Sequence, residues 1–175
     1  SYQHDPLDDR SLSTNEIRSL YLDRSGMMWI GTYGGGINKV SRGAGQFYHY
    51  KHRRDDQNSL SHPIVWSFYE DKDSVLWIGT QDGLDKLDRK TNSYRHYVNT
   101  PGTSNQINNL SNNIIRVITP IKEGKFLIGT NGGGVDEFNP ETGTFKNWSH
   151  NSKNPNSLAH NEIRSIYKDK NGIIW

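Results

Sequence analysis

Residues 29–40 read WIGTYGGGINKV, residues 77–87 read WIGTQDGLDKL, and residues 127–138 read LIGTNGGGVDEF. The tripeptide Ile-Gly-Thr therefore begins at Ile30, Ile78 and Ile128, with spacings of 48 and 50. A second landmark, Leu followed by a small residue, falls at Leu12, Leu60, Leu110 and Leu158, with spacings of 48, 50 and 48. Two independent landmarks that keep one period mark an internal repeat.

Each unit breaks into four β-like runs divided by turn residues. In the second unit the runs are 65–70, 75–80, 84–88 and 93–97, and Asp71-Lys72-Asp73-Ser74 is a hairpin turn. No segment keeps a helical period over ten residues, which excludes a solenoid of helix pairs. Four short antiparallel strands per unit, at this period, are the signature of a propeller blade. The expected fold is all-β: an incomplete β-propeller of about three and a half four-stranded antiparallel blades over 1–175. Residues 1–10 read as the end of a preceding blade, 12–59, 60–109 and 110–157 as three repeats, and 158–175 as the start of a fourth. Since propellers close with about four to eight blades, two open faces are expected. The chain then belongs to a longer array, or pairs as a homodimer or larger self-association through apolar edges such as Ile17, Leu20, Ile163 and Ile166.

Only 31% of residues are hydrophobic, so the core must lean on the 5 Trp, 9 Tyr and 5 Phe. A net charge of +2 with interspersed signs gives no reason to expect nucleic acid or a membrane surface as partner. The absence of Cys excludes disulfides and thiolate metal sites.

The glycine clusters lack the G-x-G-x-x-G spacing, and no Gly-Lys-Ser/Thr occurs. A phosphate loop needs a helix behind it, where the repeat predicts a strand. The glycines are expected to supply positive φ in the turn between second and third strands. Trp29, Trp77 and Trp175 share one register and are expected to pack between blades. Seven His residues show no metal-binding spacing, so no metal and no cofactor are expected. Glu16 and Glu162 are equivalent, but Ile64 and Ile114 occupy that place in the other units. No carboxylate pair suited to glycoside hydrolysis is marked, and no catalytic residue is assigned.

The unit at 60–97, with its leading Leu-Ser, its acidic turn, its Leu-Trp-Ile-Gly-Thr and its closing Tyr, resembles the two-component regulator propeller repeat. Unit three departs from it, with Thr119-Pro120-Ile121 before the second strand and Leu127 in place of Trp. The resemblance implies the periplasmic, extracytoplasmic sensor region of a bacterial hybrid two-component histidine kinase. Such regions are commonly seven-bladed and sense oligosaccharides. By that resemblance the segment is not an enzyme, makes no membrane contact itself, and has the rest of a parent receptor as partner. A glycan-cleaving propeller enzyme of lyase or glycosidase type, and a protein-interaction scaffold, are the alternatives.

In a propeller, loops leading into the innermost strand and those joining second and third strands share one face. Here these loops hold His62 and His160, and Tyr33, Gln81, Asp82 and Asn131. Just inside, one register reads Arg18, Trp66, Arg116 and Arg164, where blade-facing positions are ordinarily apolar. These residues either brace neighbouring loops or face the channel. In the second case Arg forks would take an anionic group and Trp66 would stack on a sugar face.

Overall fold

The structure, a computed structural model, describes residues 1–41, 43, 45–100 and 109–175. Among the described residues twelve strands are present: β1 (Ile17–Leu22), β2 (Met27–Thr32), β3 (Ile37–Ser41), β4 (Tyr48–Tyr50), β5 (Val65–Glu70), β6 (Leu76–Thr80), β7 (Gly83–Asp88), β8 (Ser93–Tyr97), β9 (Ile115–Pro120), β10 (Phe126–Thr130), β11 (Val135–Asn139) and β12 (Thr144–Trp148). They form three antiparallel four-stranded sheets, each in chain order. No helix occurs among the described residues, and the chain is an all-β propeller segment with no closed sheet. Residues 101–108 of the second unit lie outside the described residues. First strands of successive blades lie side by side, β1 against β5 and β5 against β9, so they line the axis.

The two ends differ from the regular blades. Residues 1–10 hold no strand; Tyr2 packs edge-on against Phe47 at 5.3 Å, and Arg10 O accepts from Phe47 N. Past the third sheet, Ile163 N donates to Thr130 O, and Tyr167 and Trp175 exchange two backbone bonds of 3.0 and 2.8 Å. That is a first-strand and second-strand hairpin without a third strand beside it.

Aromatic wedges hold the sheets together. Trp29, Ile37, Leu60, Val65, Phe68 and Leu76 fill the seam between the first two blades. Trp77, Ile115, Phe126 and Phe138 fill the next, with Trp77 5.0 Å from Phe126 and 5.4 Å from Phe138. Both tryptophans are fully buried, and burying an indole needs a partner for its N–H. The hairpin aspartate supplies it: Trp29 Nε1 donates to Asp23 at 2.9 Å and Trp77 Nε1 to Asp71 at 2.8 Å. The other oxygen of each carboxylate accepts two turn amides, from Ser25 and Met27 or from Asp73 and Val75. Unit three replaces both partners at once, with Ile121 and Leu127, which removes donor and acceptor together. Burial acts to raise the Asp23 pKa, yet hydrogen bonds from Ser25, Trp29 and Met27, with Arg89 nearby, bring it down to about 2.

The glycine of Ile-Gly-Thr has a steric cause rather than the turn geometry expected for the whole cluster. A Cβ on Gly79 would overlap Ser67 Oγ and stand 2.8 Å from Ile115 Cγ2 of the next blade. Positive φ is confined to the turn itself, for example 74° at Gly36 and 85° at Gly134.

A third repeated bond runs from the Leu-Ser motif to the third strand: Ser13, Ser61 and Ser111 N donate to the buried Asn38, Asp85 and Asp136. Asp85 also meets His96 Nδ1 at 2.7 Å, and His96 Nε2 lies 2.8 Å from the Gln57 carbonyl. Both partners accept, so the protonated ring, with both nitrogens donating, satisfies both bonds. The bond to Asp85 accordingly holds the His96 pKa above its ordinary value.

Two outcomes follow. Asp71→Ala is expected to destabilise the protein by about 2 kcal/mol, and in urea unfolding its effect should be non-additive with Trp77→Phe, which removes the same N–H. The stabilisation from His96 is complete below its unfolded pKa of about 6.5 and is lost as pH rises through the raised folded value. The His96 component of the urea midpoint should therefore shrink between about pH 5.5 and pH 8.5. His96→Asn, the residue that Asn147 presents to Asp136 in the third blade, should remove that component.

Candidate functional site

The residues singled out at the rim gather there because of a repeated irregularity in the first strand. Ile17 pairs with Thr32 and Ser19 with Gly31, so Arg18 is an extra residue. The same skip leaves Trp66 between Val65 and Ser67, and Arg116 between Ile115 and Val117. A β-bulge re-aims the side chain it inserts. This is why a cation or an indole stands where strict alternation would demand an apolar, blade-facing residue.

The bulged side chains of successive blades stack on one another. The Arg116 guanidinium lies 3.9 Å from the Trp66 ring centre, and that of Arg18 lies 5.4 Å from Trp66 and 4.7 Å from Tyr33. Tyr33 meets Trp66 edge-on at 6.4 Å. Cation–π stacking of this kind contributes roughly 0.5–2 kcal/mol per pair. Each bulge also reaches the loop between second and third strands of its own blade. Trp66 Nε1 donates to Gln81 Oε1 at 2.9 Å, and Arg116 Nε and Nη2 donate to Asn131 Oδ1 at 3.3 and 3.2 Å.

Loop bracing and stacking between blades thus coexist in the same side chains. Trp66 is not a bare platform, because guanidinium groups cover it. Tyr33, 45% exposed, is the rim aromatic left to solvent. Arg164 stands apart from the stack and pairs with Glu162 at 3.0 Å. Asp82 accepts from Asn113 Nδ2 at 2.9 Å.

His62 and His160 have a local duty. Their Nδ1 atoms accept the backbone N–H two residues on, from Ile64 and Glu162, each at 3.0 Å. Asn112 Oδ1 does the same for Ile114 at 2.8 Å, and Thr14 Oγ1 for Glu16 at 3.3 Å. The position calls for a short acceptor, and three residue types provide it. The other histidines fall into two further repeated positions. His4, His52 and His150 bond the carbonyls of Leu12, Leu60 and Leu158, where Asn99 bonds that of Leu110. His49 and His96 pair across from Asn38 and Asp85. Among the described residues no His, Asp or Glu group is arranged to hold a metal ion.

Fold and site together define a β-propeller segment whose first strands carry bulged side chains beside the loops that join second and third strands. Residues 11–34, 59–82 and 157–175 match the family described as two component regulator propeller, and the chain carries that repeat. The extracellular domain of a hybrid two component system from B. thetaiotaomicron has a similar structure. It is 26% identical with a TM-score of 0.82, over 99% of this chain and 23% of that one. A second such domain from the same organism is 24% identical with a TM-score of 0.76, over 95% of this chain and 21% of that one. An inactivated virginiamycin B lyase from Staphylococcus aureus shares the fold at 14% identity and a TM-score of 0.62, over 94% of this chain and 50% of that one. No curated protein matches the chain. The chain spans less than a quarter of the two-component domains it matches. No helix among the described residues is long and apolar enough to cross a membrane.

Burial holds the His62 pKa below its ordinary value, although Asp82 beside it acts in the opposite sense and His52 adds to the lowering. Its neutral, accepting form is the folded one. Its contribution is therefore present above the unfolded pKa of about 6.5 and is lost as pH falls through the folded value. His62→Asn should keep the turn and lose this acid sensitivity. His62→Ala should cost about 1 kcal/mol at pH 8, read from thermal melts at the two pH values.

Proposed function

We propose that this chain is part of the ligand-sensing propeller of a hybrid two-component receptor, held outside the cytoplasm, and that its rim takes an oligosaccharide. The observation that carries the reading is the agreement of two comparisons. The repeats match the two component regulator propeller family, and 99% of the chain superposes on an extracellular domain of a hybrid two component system. The rim supports it physically. Tyr33 offers an exposed aromatic face, and Asn131, Gln81 and the guanidinium groups offer hydrogen-bond partners around it, which is the mixture sugars require. The signal would pass to a histidine kinase in the same receptor, and association with further blades or with another copy would cover the open blade faces. Ile17, Leu20 and Leu22 are exposed on the first of these faces.

Calorimetry on the intact extracytoplasmic domain, against oligosaccharides released from host and plant glycans, tests this. At least one should bind, and chromatography should recover it uncleaved. Turnover of the sugar would establish the enzyme reading instead. Failure of every sugar, together with tight binding of a protein partner, would establish a scaffold.

A further inference from the structure

The bulge register carries Arg18, Trp66, Arg116 and Arg164, and two residues earlier the chain has Glu16, Ile64, Ile114 and Glu162. The backbone confirms that these earlier positions correspond: the carbonyls of Glu16, Ile64 and Ile114 accept from Tyr33, Gln81 and Asn131 in turn. The pairing sorts the cations into two kinds. Arg18 lies 3.6 Å from Glu16 and Arg164 lies 3.0 Å from Glu162, so each has a counter-charge on its own strand. Arg116 has Ile114 in that place. It makes no ion pair among the described residues, and the acceptor of its Nε and Nη2 is the neutral Asn131 amide. Asp82, the remaining rim carboxylate, is bonded to Asn113 and makes no ion pair among the described residues.

Arg116 is also half-buried, flat against Trp66. A cation that has lost part of its hydration without gaining a counter-ion is under-compensated. Its bonds to Asn131 fix the plane of the guanidinium and leave N–H groups over, in the fork geometry that suits a carboxylate or sulfate. The stack on Trp66 holds that fork still, so little side-chain freedom is lost when an anion docks. The same indole carries Arg18, whose positive charge further disfavours leaving Arg116 bare.

We infer that Arg116 is the anion receptor of this rim, taking a carboxylate or sulfate group of a charged oligosaccharide, while Arg18 and Arg164 are neutralised in place by their glutamates. The inference rests on the reading that the rim binds an oligosaccharide, and goes beyond it by assigning charge selectivity to one residue.

The repeat supplies variants that should fold. Ile114→Glu installs at Arg116 the glutamate that already precedes Arg18 and Arg164, and Glu16→Ile removes the counter-charge of Arg18. Calorimetry on the intact extracytoplasmic domain would use a galacturonate trisaccharide, a sulfated chondroitin tetrasaccharide and a neutral galactose trisaccharide. Arg116→Ala and Ile114→Glu should each weaken an acidic sugar roughly ten- to a hundredfold, and Ile114→Glu should leave a neutral one unchanged. Glu16→Ile should strengthen the acidic sugar. The two acidic probes distinguish carboxylate from sulfate. If acidic sugars bind equally well to all variants, the inference fails while the oligosaccharide reading stands. In parallel, inorganic sulfate is titrated against the arginine Nε–H signals by NMR. A shift at Arg116 that Ile114→Glu abolishes supports the anion site even if no sugar binds and the oligosaccharide reading falls. No shift at Arg116 overturns the site.

Discussion

The bond from an indole N–H to a hairpin carboxylate, seen at Trp29–Asp23 and Trp77–Asp71, is the constraint from which much of each blade follows. A tryptophan large enough to fill the wedge between two sheets brings a donor that cannot be left unsatisfied in the core. The aspartate that accepts it is placed by the two turn amides bound to its other oxygen. Turn geometry, hairpin register and inter-blade packing are thereby tied to a single carboxylate. Unit three shows that the pair is one unit: where Leu127 replaces the tryptophan, Ile121 stands in the turn.

The strand positions were legible because the repeat aligns three copies of each turn, and β5 and β8 fall on the runs read from sequence. The bulge was not legible. Arg18, Trp66 and Arg116 could be seen to break the apolar pattern, but a one-residue slip in pairing is a geometric event that leaves no compositional mark. The broken pattern was the signal, and only the register between strands explains it. The histidines were obscured for a different reason. His62 and His160 share their place in the repeat with Asn112 and Thr14, and all four offer one acceptor to the amide two residues on. Their common duty is visible in the period rather than in the chemistry. The glycine of Ile-Gly-Thr was misattributed likewise: sequence shows that a side chain is absent, not whether φ or a neighbouring blade forbids one.

The two ends of the strands are electrostatically unlike. At the far end of β5 from the rim, Glu70 and Asp23 are buried and share Arg89, and Arg24 closes the cluster by bonding Glu70 at 3.2 Å. Hydrogen bonds from Arg24 and the charge of Arg89 hold the Glu70 carboxyl below its ordinary pKa, against the burial that would raise it. Every charge there is matched across the seam between the first and second blades, which ties those blades together where no ligand need enter. Breaking such a buried set costs several kcal/mol because a desolvated charge is left behind.

At the rim the same accounting does not close, and the reason lies in how repeats constrain side chains. Positions that bond the backbone of their own unit, such as Ser61 to Asp85 or Thr80 to Gly83, are held by the fold and recur in every blade. The side chains of the bulge residue and of the residue two before it bond other side chains rather than backbone, so each blade is free to fill them differently. Glu with Arg, Ile with Trp, and Ile with Arg are the combinations found. A half-buried guanidinium without a carboxylate is not demanded by packing, since the first and fourth units show that a glutamate fits the place. Its presence in the third blade is a departure from the local rule, and departures of that kind are where function is expected to be written.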